Sequence, residues 1–244
     1  MARTIAGFTA GGIEFRKDPD TFEHVLIAAP VHIKEDFLGY QAMLSESGSA
    51  GRWLTVETDL NLAMALVADL SGGGLQGTLD SDSSAQQAVL YCGDQRNIDV
   101  SKSAGFEARV NLAVLPTTGV DFVCGLAGDH NATRDSIDVG AWFRCQASGA
   151  LLCESDDTTN NNDDVAAGIT LVAGTTYTFY IDFSVLTDVK FYVNNVRVCA
   201  DTTFDLSNLA TVENIMQPYI GLGKASGTGV GTMYVNMVQA WCKR

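Results

Sequence analysis

The chain has 244 residues, of which 46% are hydrophobic and 18% charged, and it carries a formal net charge of −14. That apolar content is enough for a large core, while an acidic chain whose 15 Lys and Arg residues form no run is a poor nucleic-acid binder, because phosphates attract clustered cations. No apolar stretch approaches the roughly 20 residues that span a bilayer, so no membrane partner is expected.

The N-terminus lacks the basic-then-apolar pattern of a secretory leader: Ile5 to Ile13 is short and interrupted by Gly7, Gly11 and Gly12. Folding in a cytoplasm is the expectation. Across residues 1–35 the apolar positions are scattered, and the one strand-like run is His24 to Ile33. About the first 20 residues read as an extended arm that orders against another surface. From residue 36 onward the hydrophobic period is two, the mark of strands with one buried face. In Phe106 to Val114 the positions Phe106, Ala108, Val110, Leu112 and Val114 are apolar, while Glu107, Arg109 and Asn111 are expected to face water. Tyr177, Phe179, Ile181 and Phe183 repeat the pattern, as do Val189, Phe191 and Val193. Asn194 and Asn195 then supply a tight turn, because Asn tolerates positive φ, and Val196 and Val198 return as the partner strand.

Further turns are expected at Ser71–Gly74, Pro116–Gly119, Ser148–Gly149, Ala173–Gly174 and Ala225–Gly229. Their spacing predicts about a dozen short strands and leaves no room for the helical segments of βαβ units. The one helix candidate is Asp205 to Met216, with Ser207 as cap and Pro218 close behind. Six cysteines fall singly within strand-like runs, where a free thiol behaves as a small buried hydrophobe. The one pairing the spacing brings into view is Cys145 with Cys153, which flank Ser148 and Gly149 and could face each other across a hairpin.

Taken together, several segments resemble the concanavalin A-like lectin and glucanase superfamily in its laminin G-like branch. They are Asp36 to Gly39, Trp53 to Val56, Leu75 to Leu79, Gly105 to Val110, the Ala141 to Glu154 hairpin, Ala173 to Asp182, Val189 to Asn194 and a closing Val235 to Trp241. The resemblance implies an all-β fold, a two-sheet antiparallel jelly-roll sandwich over 36–244 preceded by the arm of 1–35. The same segments are similar to virion proteins of tailed bacteriophages. That likeness implies a non-enzymatic capsid decoration protein at the capsid surface, binding the major capsid protein and copies of itself. A lectin-like adsorption module that binds a glycan is the alternative.

Candidate chemistry can be tested residue by residue. Glucanases of this fold need two carboxylates at fixed separation on an E-x-D-x-x-E strand. Here Glu154 and Asp156 match the first two positions, but Thr159 stands where the second Glu is required. No catalytic residue is therefore assigned, and no enzymatic activity is expected. Calcium, which takes six to eight oxygens, is the one cofactor the residues admit, at the acidic loop from Glu154 to Asp164, with a solvated polar loop as the plainer reading. His130, near Asp129, Asp135 and Ser136, suggests a triad only by proximity in sequence, without a nucleophile elbow. His24 and His32 carry no partner signal. The stretch Gly221 to Gly227 lacks the full phosphate-loop spacing and reads as a strand end and turn. Trp53, Trp142 and Trp241 are expected to pack in the core or at an edge, with stacking on a sugar as the functional alternative.

Overall fold

Alternation of apolar and polar residues makes each strand two-faced, and two such sheets cover each other's apolar faces. The structure is a computed structural model that describes residues 6–10, 13–17, 24–28, 31–38, 44–45, 53–57 and 64–244. In chain order the strands are β1 (Ala6–Ala10), β2 (Ile13–Lys17), β3 (His24–Ala28), β4 (Val31–Glu35), β5 (Leu44–Ser45), β6 (Trp53–Glu57), β7 (Ala65–Leu66), β8 (Leu75–Leu79), β9 (Gln86–Tyr91) and β10 (Ile98–Asp99). They continue with β11 (Ala104–Val114), β12 (Asp121–Ala127), β13 (Gly140–Cys145), β14 (Ala150–Asp156), β15 (Asn161–Thr170), β16 (Thr176–Phe183), β17 (Lys190–Val193), β18 (Val196–Val198), β19 (Ile215–Lys224) and β20 (Gly231–Cys242). The count exceeds the expected dozen because β5, β7 and β10 are two-residue segments and because β1, β2 and β3 form a small sheet of their own.

A nine-stranded sheet runs β15-β14-β13-β12-β19-β9-β6-β5, with β10 also on β19, and an eight-stranded sheet runs β18-β17-β16-β11-β20-β8-β7, with β4 also on β20. The expected antiparallel jelly-roll sandwich is present; the parallel pair β5–β6 is its one exception among the described ladders. Within the segment read as an arm, β1 to β3 pair antiparallel, whereas β4 joins the sandwich by pairing with β20. The expected run from His24 to Ile33 is thus divided between two sheets.

Aromatic rings from both sheets interlock in the core. Phe143 on the nine-stranded sheet lies 4.9 Å from Phe179 and 5.2 Å from Phe191, both on the other sheet, and Phe191 lies 4.7 Å from Phe204. Phe106, Ala108, Val110 and Leu112 are buried as their alternation predicts. Two positions of that strand depart from it. Glu107 is fully buried near Gln239, whose Nε2 donates to its carboxylate at 3.4 Å, and Val114 is 42% exposed just past a register irregularity in the ladder with β20.

The Asn194–Asn195 turn has φ of 46° and 69°, the two positive values that a two-residue hairpin requires, and it sets Val193 opposite Val196. The helix expected over Asp205 to Met216 does not form. Asp205 Oδ1 instead accepts from Ser207 N at 2.8 Å and Glu213 Oε2 accepts from Ala210 N at 2.9 Å, so side chains satisfy the amides in turns. Ile215 and Met216 then open β19. Pro218 falls between the stretch of β19 paired with β10 and the stretch paired with β9, where no ladder amide is needed from it on that side.

All six cysteines are free thiols. The hairpin register places Cys145 opposite Leu151 and Cys153 opposite Phe143, so the pair considered from sequence sits diagonally and does not bridge. Among the described residues, no helix is long and apolar enough to cross a membrane.

Candidate functional site

Strand register lines up side chains in rows on the face of the nine-stranded sheet that points away from the other sheet. One row runs Tyr91, Tyr219, Gly125, Trp142 and Glu154; the next runs Val89, Gly221, Val123, Arg144 and Leu152. Alternate residues of the same strands, including Leu90, Ile220, Cys124 and Phe143, belong to the inter-sheet core. The outer face has its own smaller apolar cluster, built on Val89, Tyr91, Val123, Ile137, Trp142 and Tyr219.

Glycines hollow this face. A Cβ on Gly125 would lie 2.2 Å from the Ala141 carbonyl oxygen, and one on Gly223 would lie 2.5 Å from Arg134 Nη2. The connection between β12 and β13 drops into the hollow. Ile137 joins the outer cluster, His130 Nδ1 lies 2.8 Å from the Tyr219 hydroxyl, and Arg134 Nη1 donates to the Asp121 carbonyl at 2.7 Å. Two clefts flank this connection. One, of about 310 Å³, is lined by Trp142, Arg144, Glu154, Asp156, Asp163 and Asp164; the other, of about 400 Å³, by Gln87, Asp121, Thr133 and Gly223; Arg134 and Asp135 border both.

The first cleft is organised around Arg144. Its Nη1 lies 3.1 Å from Glu154 Oε1, 3.3 Å from Asp135 Oδ1 and 3.9 Å from Asp164 Oδ1, and its Nη2 lies 3.2 Å from Asp121 Oδ2. Trp142 Nε1 donates to Glu154 Oε2 at 2.8 Å. Each carboxylate comes from a different element because neighbouring strands bring equivalent positions together. Asp121 is on β12, Glu154 on β14 and Asp164 on β15. Asp164 owes its place to a β-bulge: the ladder slips between Cys153 and Ser155, and Asp164 takes a positive φ of 52°. Bulges re-aim side chains in this way, often beside functional sites.

Burial pushes the Glu154 carboxyl up to about 7, and a hydrogen bond with Asp164 adds to the rise. Arg144 and the Trp142 N–H pull the other way. The cation is shared among four carboxylates, so its hold on any one of them does not offset removal from water. Arg144 itself is held firmly charged by Glu154 and Asp121 against its own burial. The cleft therefore carries a carboxyl able to give or take a proton near neutrality, beside fixed carboxylates that accept from hydroxyls.

Of the residues singled out from sequence, Glu154 and Asp156 both line this cleft, while Thr159 lies in the turn between β14 and β15. The carboxyl beside Glu154 is Asp164, supplied by the next strand. The stretch considered for calcium is thus a β-hairpin. Asp157 is spent on its turn, accepting from Thr159 N, Asn160 Nδ2 and Asn208 N at 3.0, 3.2 and 3.0 Å. Among the described residues no group of three or more His, Cys, Asp or Glu side chains is set to hold a metal ion.

The suggested triad is not assembled, since His130 contacts Tyr219, and Asp135 pairs with Arg144. Lys224, in the glycine-rich stretch, donates to the carbonyls of Asp80, Asp82 and Gly229 at 2.7, 2.6 and 2.9 Å and pins a turn. His32 lies 3.2 Å from Gln239 Oε1, and His24 opens β3. Trp53, Trp142 and Trp241 are all buried. Arg144 and Asp121 were not singled out from sequence, and Asp164 was named only as the end of the loop considered for calcium. An arginine next to tryptophan and phenylalanine in an alternating strand is the one local sign of them.

No protein-family model matches the chain, and no curated protein matches it in sequence. Solved structures do match. An endo-acting O-glycanase of the human gut microbiota superposes with TM-score 0.58 at 11% identity, over 89% of this chain and 100% of the other. An endo-β-1,4-glucuronan lyase from the fungus Trichoderma reesei gives 0.54 at 9%, over 88% and 96%. The metal-free carbohydrate recognition domain of Emp46p gives 0.51 at 6%, over 86% and 95%. At these identities the likeness shows the fold. It also corrects the expectation of a chain without enzymatic activity, which rested on the missing second Glu at Thr159: this fold carries catalysis in the glycanase and the lyase as well as carbohydrate recognition. The chain has the concanavalin A-like jelly-roll fold, shared with a carbohydrate recognition domain and with carbohydrate-cleaving enzymes.

Proposed function

We propose that the protein recognises a carbohydrate and that the cleft between Trp142, Arg144, Glu154 and Asp164 receives it. The observation that carries this reading is the Arg144-centred carboxylate cluster on the floor of a 310 Å³ cleft, formed by side chains from adjacent strands. Sugars are bound by convergent hydrogen-bond acceptors and donors next to an aromatic wall. Asp156, Asp163 and Asp164 supply acceptors for hydroxyls, Arg144 a fixed cation, and the edge of Trp142 an apolar border. Glu154 adds a group suited to proton transfer to or from a glycosidic oxygen or a sugar carbon.

The test is a glycan array followed by calorimetric titration of any hit, with Asp156→Ala and Asp163→Ala as lining variants. Specific binding that weakens at least about tenfold in either variant, on the order of 1.4 kcal/mol, is expected. An array without a hit, or a hit indifferent to both variants, overturns the assignment. Reducing-end release and unsaturated-product absorbance on the same sugars read catalysis, which Glu154→Gln is expected to abolish.

A second reading, a bacteriophage virion protein that decorates the capsid by binding the major capsid protein and copies of itself, draws support from the sheet β1-β2-β3. Among the described ladders its three strands pair with one another and not with the sandwich, as an element for docking to another chain would. Add-back to capsids lacking the protein tests it; full-length protein that neither self-associates nor binds those capsids overturns it.

A further inference from the structure

The six thiols differ in surroundings. Five are buried, and Cys199 alone among them is partly exposed. Cys199 follows β18 with a φ of 51°, a left-handed conformation that turns its side chain toward the other sheet. Its Sγ lies 3.7 Å from the Val165 carbonyl oxygen and 3.5 Å from that of Ala166, both on β15. Val165 is the direct ladder partner of Cys153 on β14, so Cys199 reaches the backbone next to Cys153. The two thiols are near enough for each to shift the other's ionisation. Strands β14 and β18 belong to opposite sheets, and β15 and β18 are each the outermost strand of theirs.

We propose that Cys199 and Cys153 are a peroxide-sensitive pair that closes into a disulfide joining the two sheets along this margin. This site is independent of the carbohydrate cleft, because Cys153 points into the inter-sheet core while its neighbour Glu154 points out. The two sulfurs divide the work by environment. The neighbouring Cys153 thiol favours the Cys199 thiolate, whereas burial holds Cys153 protonated. The more acidic thiol is also the accessible one, as a reactive cysteine must be.

The Cys199 thiolate attacks one oxygen of hydrogen peroxide, the O–O bond breaks, and the departing hydroxide takes a proton to leave as water, giving a sulfenic acid on Cys199. The Cys153 sulfur then attacks the sulfenic sulfur. The S–S bond forms as the S–O bond breaks, and the hydroxide leaves as a second water with the proton from Cys153. Two thiols and one peroxide give one disulfide and two waters, the sulfurs being oxidised and the peroxide reduced.

Full-length protein is treated with equimolar hydrogen peroxide, quenched, and examined by intact mass, peptide mapping without reductant and thermal unfolding. The expected product is lighter by two hydrogens, contains one cross-linked peptide joining Cys153 to Cys199, and melts higher by roughly 10 °C because the bond closes a long loop. Dithiothreitol reverses all three changes. Cys199→Ser, at a partly exposed turn that tolerates the change, shows none of them. Retention of every thiol, oxygen added at Cys199 while Cys153 stays free, or a cross-link between other cysteines overturns the proposal.

Discussion

The Glu154 carboxyl is buried in the cleft among Trp142, Arg144 and Asp164, and this placement sets its response to pH. Its folded-state value of about 7 lies above the ordinary carboxyl value of 4.5. Below pH 4.5 the group is protonated in both the folded and the unfolded chain and contributes nothing to the pH dependence. Between 4.5 and 7 the unfolded chain releases the proton while the folded one keeps it, so stability falls as pH rises through that window. The loss reaches about 3 kcal/mol above the folded value. Glu154→Gln, which cannot ionise, is expected to flatten this slope; urea unfolding of both proteins from pH 4 to pH 8 compares them. Parallel pH profiles would sink the assignment. Glu154 was visible in the sequence as a carboxylate on a strand. Its protonation was not, because that depends first on burial, which only the assembled face creates, and then on Asp164, which is brought alongside by a bulge no local pattern announces.

Between elements, the close approach of β12 to β13 governs whether the cleft exists. Gly125 lies in the Tyr219–Gly125–Trp142 row, and a methyl group there would overlap the Ala141 carbonyl oxygen at 2.2 Å and Trp142 Cβ at 2.6 Å. Backbone cannot yield as a flexible side chain does. Gly125→Ala is accordingly expected to cost about 3 kcal/mol, measured as a lower urea midpoint, and to quench or shift Trp142 fluorescence. Unchanged stability would show that the strands separate easily. The period-two runs made β11, β16 and β17 legible from sequence, and the Asn194–Asn195 turn with them. Legibility failed where side chains take over the backbone's hydrogen bonds. Asp205 and Glu213 turned an apparent helix into turns, and Glu107 is polar yet buried because Gln239 meets it on the adjacent strand. Glu107 and Gln239 are 132 residues apart in sequence, beyond any periodicity argument.

For the whole molecule, the ladder between β4 and β20 marks where the sandwich begins. The strands before it pair in a separate three-stranded sheet. A chain beginning at residue 29 is therefore expected to melt at the same temperature as the full protein, as scanning calorimetry can show, because none of the sandwich ladders is removed. A clear drop in the midpoint would mean that the small sheet braces the sandwich. The resemblance to concanavalin A-like segments gave the architecture early, since strand order survives where individual residues do not. The site was less legible because it is assembled across four strands and one connection. That connection has a consequence for any occupant of the cleft. Arg134 and Asp135 border both hollows of the sheet face, so together they act as a partition, and a filament cannot lie unbroken from β9 to β15. On the proposed carbohydrate reading, an occupant beside Arg144 would meet Arg134 and Asp135 on one side, which favours a chain terminus or a short branch over the middle of a long polymer.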